Sequence, residues 1–536
     1  MLLGILGLAV SAAFCAAAAE AFRRKILPAA PRDTALLLVL LFATALQSLM
    51  ILGAGVAGLL SPIPLTLLSA AGLGALAFAR LLPTLPRPLF ERPVGVEGWI
   101  LAAGAALLAV SLLVKTLLFS PYWGDALYYH LLNVAEWIQS GRLAAGFCAQ
   151  PRIWWPMGFE LLETWWCVFL HHDALIELAG AQMLFLAALS IRVIARVHGA
   201  DPRRAALLFA FIPAVILHAT SCGNDLAAAA WVLAAYALAA DRLPRALQAF
   251  PLIVSAGVKP TAVFAAAGVA LYAFRARPRM PLGRAPALCL LAGALLLGGY
   301  WYARNWAVKG HPLYPVYGQE GLESHRGNPV EGFDTLRGTL EELPKRMVDR
   351  GRYSVLSSDM TSWGWFVLPW GIPLTLLAAR RNPEFRRLAL SFTAGAMAAI
   401  ALSPLNQFNL RFALWFPALF ALGAALTPSR PLLAALVVTS LLNFAATLVP
   451  VEIAGAERLR PPADFPLGEP LAVVAGPEAP GYLYYNADLR RRVHYPQSMA
   501  ELRATGARYA VVLEPTSWAP DAGMWKQVAR GIYEIP

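Results

Sequence analysis

The sequence predicts an all-α polytopic membrane protein with a small α/β domain at its carboxyl end. Three observations carry this. Of 536 residues, 58% are hydrophobic and 14% charged, with a mean hydropathy of +0.57, more apolar surface than a water-soluble fold can hide. Apolar stretches recur at lengths near the ~20 residues a helix needs to cross a bilayer. After about residue 455 the pattern changes to short apolar runs set between turn residues.

The candidate spans, in order, are 2–20, 34–57, 64–82, 98–119, 174–196, 204–219, 223–240, 246–258, 260–275, 285–306, 361–380, 386–403, 410–427 and 430–450, about 14 crossings. The first lacks a basic segment ahead of it, and Arg23, Arg24 and Lys25 follow it. A retained span is therefore expected rather than a cleaved leader. Arginines recur after alternate spans: Arg80, Arg87 and Arg92; Arg192, Arg196, Arg203 and Arg204; Arg275, Arg277, Arg279 and Arg284; Arg380, Arg381, Arg386 and Arg387. The opposite loops, such as "SPIP" at 61–64 and "HATSCGN" at 218–224, are uncharged. Positive loops stay in the cytoplasm, which explains the formal charge of +12 through topology and leaves no role for nucleic acid. The amino terminus, the loops 120–173 and 307–360 and everything after residue 450 are then expected outside.

The apolar stretch 157–171, "MGFELLETWWCVFLH", would invert every later loop if it crossed. Its tryptophans and its Glu160 and Glu163 predict a helix on, or dipping into, the outer surface. In "SPYWGDALYYHLLNVAEWIQSGRL" (120–143), Leu127, Leu131, Val134 and Ile138 recur at helical period and predict a second membrane-surface helix from about Ala126. Asp125 stands at its start, where an aspartate serves either as a cap or as a general base on a hydroxyl arriving from outside. Tyr129 and His130 beside it are candidate substrate contacts.

Asp225 opens the span 223–240 and is a second candidate acid; Glu160 is a third. On the same side lie Lys259 in "GVKPTAV", Arg304, Lys309 and His311 in "YARNWAVKGHPLYP", and Arg411 in "NQFNLRFALWFP". Cations at membrane depth are costly and need a partner. A phosphate is one such partner, and the arginine fork suits its oxygens. Acids, cations and aromatic rings on one face fit transfer of a group from a lipid-linked phosphate donor to a hydroxyl. The five cysteines have no metal-ligand spacing; a divalent metal is compatible with this set but not indicated. Cys148 and Cys222 are both expected outside, and two unrelated residues are expected rather than a bridge. The tail offers two strands, "LAVVAG" (471–476) and "RYAVVLEP" (508–515), around a helix, "SMAELRATGA" (498–507).

Six motifs in order, "GDALYYH…AEWIQSG", "WWPMGFELL", "GNDLAAAAWVLAA", "GVKPTAV", "YARNWAVKGHPLYP" and "LRFALWFPAL", cover about 100–430. In these the chain resembles the GT-C superfamily of integral-membrane glycosyltransferases, and within it the bacterial Rgt-like and protein-mannosyltransferase-like branch. The resemblance implies an essential acid in the first outer loop, matched by Asp125, and a second acidic position matched by Asp225. It implies a polyprenyl-phosphate-linked sugar donor, a glycan, lipid or protein acceptor, inversion at the anomeric carbon and a bacterial inner-membrane location. The expected division of the chain is three extra amino-terminal helices (1–97), a transmembrane core like that of the superfamily (98–450) and an extracytoplasmic domain (455–536). The chain departs from the pattern in its three extra helices, and in a single aspartate where the family often carries a pair. The rival class is a transporter or flippase of lipid-linked sugars, a third a non-catalytic scaffold. Neither a half-chain repeat nor a matching pair of broken spans is apparent, as a transporter would have.

Overall fold

The computed structural model describes residues 2–82, 93–148, 150–275, 278, 281–317, 363–402, 410–427, 430–448, 469–474, 480–513, 525–529 and 532–535. Most of the loop 307–360 lies outside them. Each of the fourteen apolar segments contains helix in its described part. In chain order these begin with α1 (Leu2–Ile26), α2 (Arg32–Val56), α3 (Pro62–Phe78) and α4 (Gly95–Leu118). Helices α5 (Leu131–Ser140) and α6 (Gly158–Val168) follow. Then come α7 (Leu178–His198), α8 (Pro202–Ala210), α9 (Pro213–His218), α10 (Asp225–Ala240), α11 (Arg245–Val258), α12 (Ala265–Arg275) and α13 (Arg284–Lys309). Helices at Ile372–Arg381, Pro383–Leu402, Ala418–Ala425 and Arg430–Ala446 complete the bundle. Five of the described helices are long and apolar enough to cross a membrane singly. The protein is a multi-pass membrane protein.

Two expected spans are broken. The span 204–219 is two helices, because Pro213 has no N–H to continue the ladder and is preset to open a new first turn. The span 410–427 starts as a 3₁₀ turn, Leu410–Ala413, and becomes α-helical only after Pro417. The sequence reading expected each of these two as one continuous span.

All sixteen residues of α10 are buried. Its run of alanines lets α7, α11 and α12 approach closely, which is how membrane helices associate when water supplies no driving force between them. The closest approach joins α11 to α13. A Cβ on Gly257 would sit 2.1 Å from the Leu297 carbonyl oxygen, and one on Gly298 would sit 2.1 Å from that of Ile253. Both neighbours are backbone and cannot swing aside. Gly298→Ala is therefore expected to cost about 1–3 kcal/mol, read as a lower thermal midpoint in detergent; an unchanged midpoint would mean the two helices separate freely.

The ends of the bundle differ. At one, Arg192 pairs with Asp33 at 2.7 Å and Arg196 with Asp241 at 2.9 Å, while Thr34 donates to Asp241 at 2.5 Å. This locks the start of α2 to the ends of α7 and α10, on the arginine-rich side. Asp225 lies at the other end of α10, about 24 Å away at 1.5 Å per residue.

The two helices expected at the membrane surface are covered by other parts of the protein. Nine of the eleven α6 residues are buried, Glu160 and Glu163 among them, and α6 packs on α2, α5, α7 and α11. α5 buries Leu131, Leu132, Asn133, Val134, Ala135, Trp137 and Ile138. It is covered in part by the carboxyl-terminal unit, a five-stranded sheet of β1 (Leu471–Val474), β2 (Val493–His494), β3 (Tyr509–Val512), β4 (Lys526–Ala529) and β5 (Ile532–Glu534) in the order β2-β1-β3-β5-β4. β1 runs parallel to β2 and β3; β5 is antiparallel to β3 and β4. Strand alternation divides β1 between two cores. Leu471 and Val473 pack with Leu127, Leu131 and Leu132, whereas Ala472 and Val474 face Leu502 of the helix Met499–Ala504. Polar bonds fix the contact: Gln139 donates to the Leu489 and Arg491 carbonyls at 3.0 and 2.7 Å, and Tyr482 to Asp173 at 3.0 Å.

Candidate active site

The segment 121–130 turns on Trp123. A Cβ on Gly223 would lie 2.1 Å from its ring, so only glycine lets the loop before α10 close over it. The Trp123 ring meets His218 edge-on at 5.4 Å. Asp125 follows two residues later, in helical geometry (φ −58°, ψ −37°) and with no side-chain cap bond. The cap role is thus not what the carboxylate does here. Residues 126–130 form a π-helical turn before α5 begins; such turns recur at functional sites.

The Asp125 carboxylate accepts instead from Arg411 Nη2 at 2.8 Å. Arg411 Nε lies 3.8 Å from Asp225 Oδ2. Asp225 Oδ1 accepts from Lys259 Nζ at 2.5 Å, and Lys259 also reaches Asn224 at 3.4 Å. His218 Nδ1 is 4.0 Å from Asp225 Oδ2. The order is acid, arginine, acid, lysine. Phe412 and Trp123 wall it, with the Arg411 guanidinium 4.9 Å from the Trp123 ring and 5.4 Å from that of Phe412, and Lys259 Nζ 4.3 Å from the latter. Burial holds the Lys259 ammonium below its usual range, against the opposing pull of Asp225. The Gly257–Gly298 contact sets the turn that delivers Lys259.

Four of the predicted residues, Asp125, Asp225, Lys259 and Arg411, therefore converge from four parts of the chain. The others do not join them directly. Glu160, expected as a third acid on a surface helix, is fully buried in α6 and pairs with His130 Nδ1; His130, expected as a substrate contact, is buried with it. Glu163, one turn on, is held well above the usual carboxylate range by burial and by Glu160. Arg304 lies between the Trp154 and Trp301 rings, 5.0 Å from each, and donates to the Trp154 carbonyl at 2.9 Å. Lys309 sits 5.1 Å over Trp154 and Tyr314. His311 Nδ1 accepts from Leu313 N at 3.1 Å. Arg304 and Lys309 thus share the Trp154 ring in a separate cation–aromatic cluster, while His311 faces Tyr317 at 5.6 Å. Tyr129 stands between, its ring 4.2 Å from that of His130 and 5.9 Å from the Arg152 guanidinium. Cys148 and Cys222 are free thiols. Among the described residues, no three His, Cys, Asp or Glu side chains form a metal-holding group. The sequence reading missed Trp123, His218 and Phe412; Trp123 and Phe412 are aromatics within two residues of Asp125 and Arg411, which was the one signal that pointed to them, and His218 had none.

No protein-family model and no curated protein matches the chain. Solved structures do. The bundle, the covered helices α5 and α6 and the acid-bearing loop between spans define a polytopic membrane protein of the GT-C fold. The particular likeness that shows this is to ArnT from Cupriavidus metallidurans bound to undecaprenyl phosphate, at TM-score 0.52 and 14% identity, over 82% of this chain and 98% of that one. ArnT in the apo state is similar at TM-score 0.42 and 14% identity, over 78% and 93%. The archaeal oligosaccharyltransferase AglB from Archaeoglobus fulgidus, in complex with an inhibitory peptide and a dolichol-phosphate, is similar at 0.39 and 15%, over 76% and 69%. The fold assignment rests on the first.

Proposed function

We propose that this chain is a membrane glycosyltransferase. It moves a sugar from a polyprenyl-phosphate-linked donor to a hydroxyl of a glycan, lipid or protein, at the outer face of a bacterial inner membrane. One observation carries the reading: two carboxylates and two cations meet at the end of the bundle opposite the arginine-paired end. The undecaprenyl phosphate bound by ArnT, a protein of the same fold, supports a donor of that class.

In the reaction the acceptor oxygen attacks the anomeric carbon. Asp125 takes the hydroxyl proton, and the bond from that carbon to the phosphate oxygen breaks. The bonding pair leaves with the polyprenyl phosphate, whose charge Arg411 and Lys259 stabilise. Attack opposite the leaving phosphate inverts the anomeric carbon, for a hexosyl or a pentosyl donor alike. Asp225 orients both cations. The rival reading is a transporter or flippase of lipid-linked sugars. Detergent separates the two, since it leaves no compartments to transport between. Purified protein that consumes a polyprenyl-phosphate sugar and yields a glycosylated acceptor is an enzyme; binding without any turnover would favour the rival.

A further inference from the structure

The charges of the site form two ion pairs of unequal burial. The inner pair is closed to solvent: the Asp225 side chain is 0% exposed and that of Lys259 9%. The outer pair is not, with Asp125 at 26% and Arg411 at 18%. Arg411 also spans the two, bonding to Asp125 through Nη2 while its Nε faces Asp225. A pair sealed from water is expensive to open because either charge would be stranded. A pair at the mouth of the site exchanges readily, because water or another anion takes the place of the partner.

We infer that Asp125 and the donor phosphate compete for Arg411, so that arrival of the donor is what releases the base. This rests on the glycosyltransferase reading above and deepens it. Arg411 is the exchangeable cation: its guanidinium carries five N–H groups in a fixed fork suited to two phosphate oxygens at once, and its bond to Asp125 runs through Nη2 at 2.8 Å. The rings of Trp123 and Phe412 hold the fork in place while its anion changes. Asp225 and Lys259 stay paired and fix the remaining geometry. Without donor, the Asp125 carboxylate is tied to Arg411 and does not take protons from chance hydroxyls. With donor, it turns to the acceptor. Donor then binds before acceptor, and part of its affinity is used to displace the carboxylate.

The consequence is opposite to the usual effect of removing a catalytic group. Asp125→Asn keeps the side-chain shape and removes the competing charge, so polyprenyl phosphate binding to the full-length protein in detergent should tighten by about fivefold or more. The gain should vanish in the Asp125→Asn/Arg411→Gln double variant, and polyprenol, which lacks the phosphate, should show none. Equal or weaker binding by a folded Asp125→Asn protein, with the unaltered protein binding polyprenyl phosphate normally, overturns the competition and leaves the transferase reading standing. Failure of the unaltered protein to prefer polyprenyl phosphate over polyprenol and over inorganic phosphate overturns that reading, and the competition with it.

Discussion

On the glycosyltransferase reading, Asp125→Asn is expected to lower glycosyl transfer by on the order of 10²–10⁴-fold, the range for loss of a general base, and to leave the protein folded. The expectation is sharper than the sequence alone allowed. An aspartate before a helix is most simply a cap, and loss of a cap would cost stability. Here Asp125 already has helical dihedrals and makes no cap bond, so the substitution removes a charge and not a helix stop. The asparagine is neutral and cannot accept the acceptor's proton. Turnover and thermal midpoint measured on one preparation separate the possibilities. Near-normal turnover by a folded variant would remove Asp125 from the mechanism and leave Asp225 as the next base. Glu160 no longer stands behind them, because it is sealed in α6 against His130.

Asp225→Ala has the largest expected effect on stability. Asp225 is 2% exposed and Lys259 7%, and the lysine already sits where burial disfavours its charge. Removing the carboxylate strands a buried ammonium, at about 3–5 kcal/mol. The readout is thermal unfolding in detergent, or the yield of folded protein from membranes. A companion double variant, Asp225→Leu with Lys259→Met, replaces the pair by apolar groups of similar size and should recover much of the loss, since a buried pair often contributes little beyond its apolar equivalent. If the single variant is as stable as the parent, water reaches Lys259 and the inner pair is not sealed. Recovery in the double variant without recovery of turnover would divide the two roles of Asp225, holding Lys259 for folding and ordering the cations for transfer.

The fourteen apolar segments were legible in the sequence, and so were strands β1 and β3 and the helix between them. The same holds for the four residues that meet at the site, each singled out as an acid or cation on the side where loops are otherwise uncharged. Hydropathy over ~20 residues, strand alternation and the position of a charge beside an apolar run are local quantities, and a chain states them without folding. What the sequence could not state is which charge meets which. Asp125 and Arg411 are 286 residues apart, and the reading that singled out each of them did not pair them. Lys259 and Arg411, which looked stranded and so in need of a phosphate, already face the carboxylates of Asp225 and Asp125. The helical stripes of α5 and α6 were read correctly as apolar faces, but an apolar stripe says only that something covers it. The carboxyl-terminal sheet covers α5, and α2 and α7 cover α6, which is why Glu160 ended inside rather than on the surface. Burial and pairing depend on distance through space, which falls off within a few ångströms and bears no relation to distance along the chain. The sequence therefore determined that this is a membrane bundle with acids and cations at one end. The tertiary structure alone decided that they form a single chain of charge from Asp125 through Arg411 and Asp225 to Lys259.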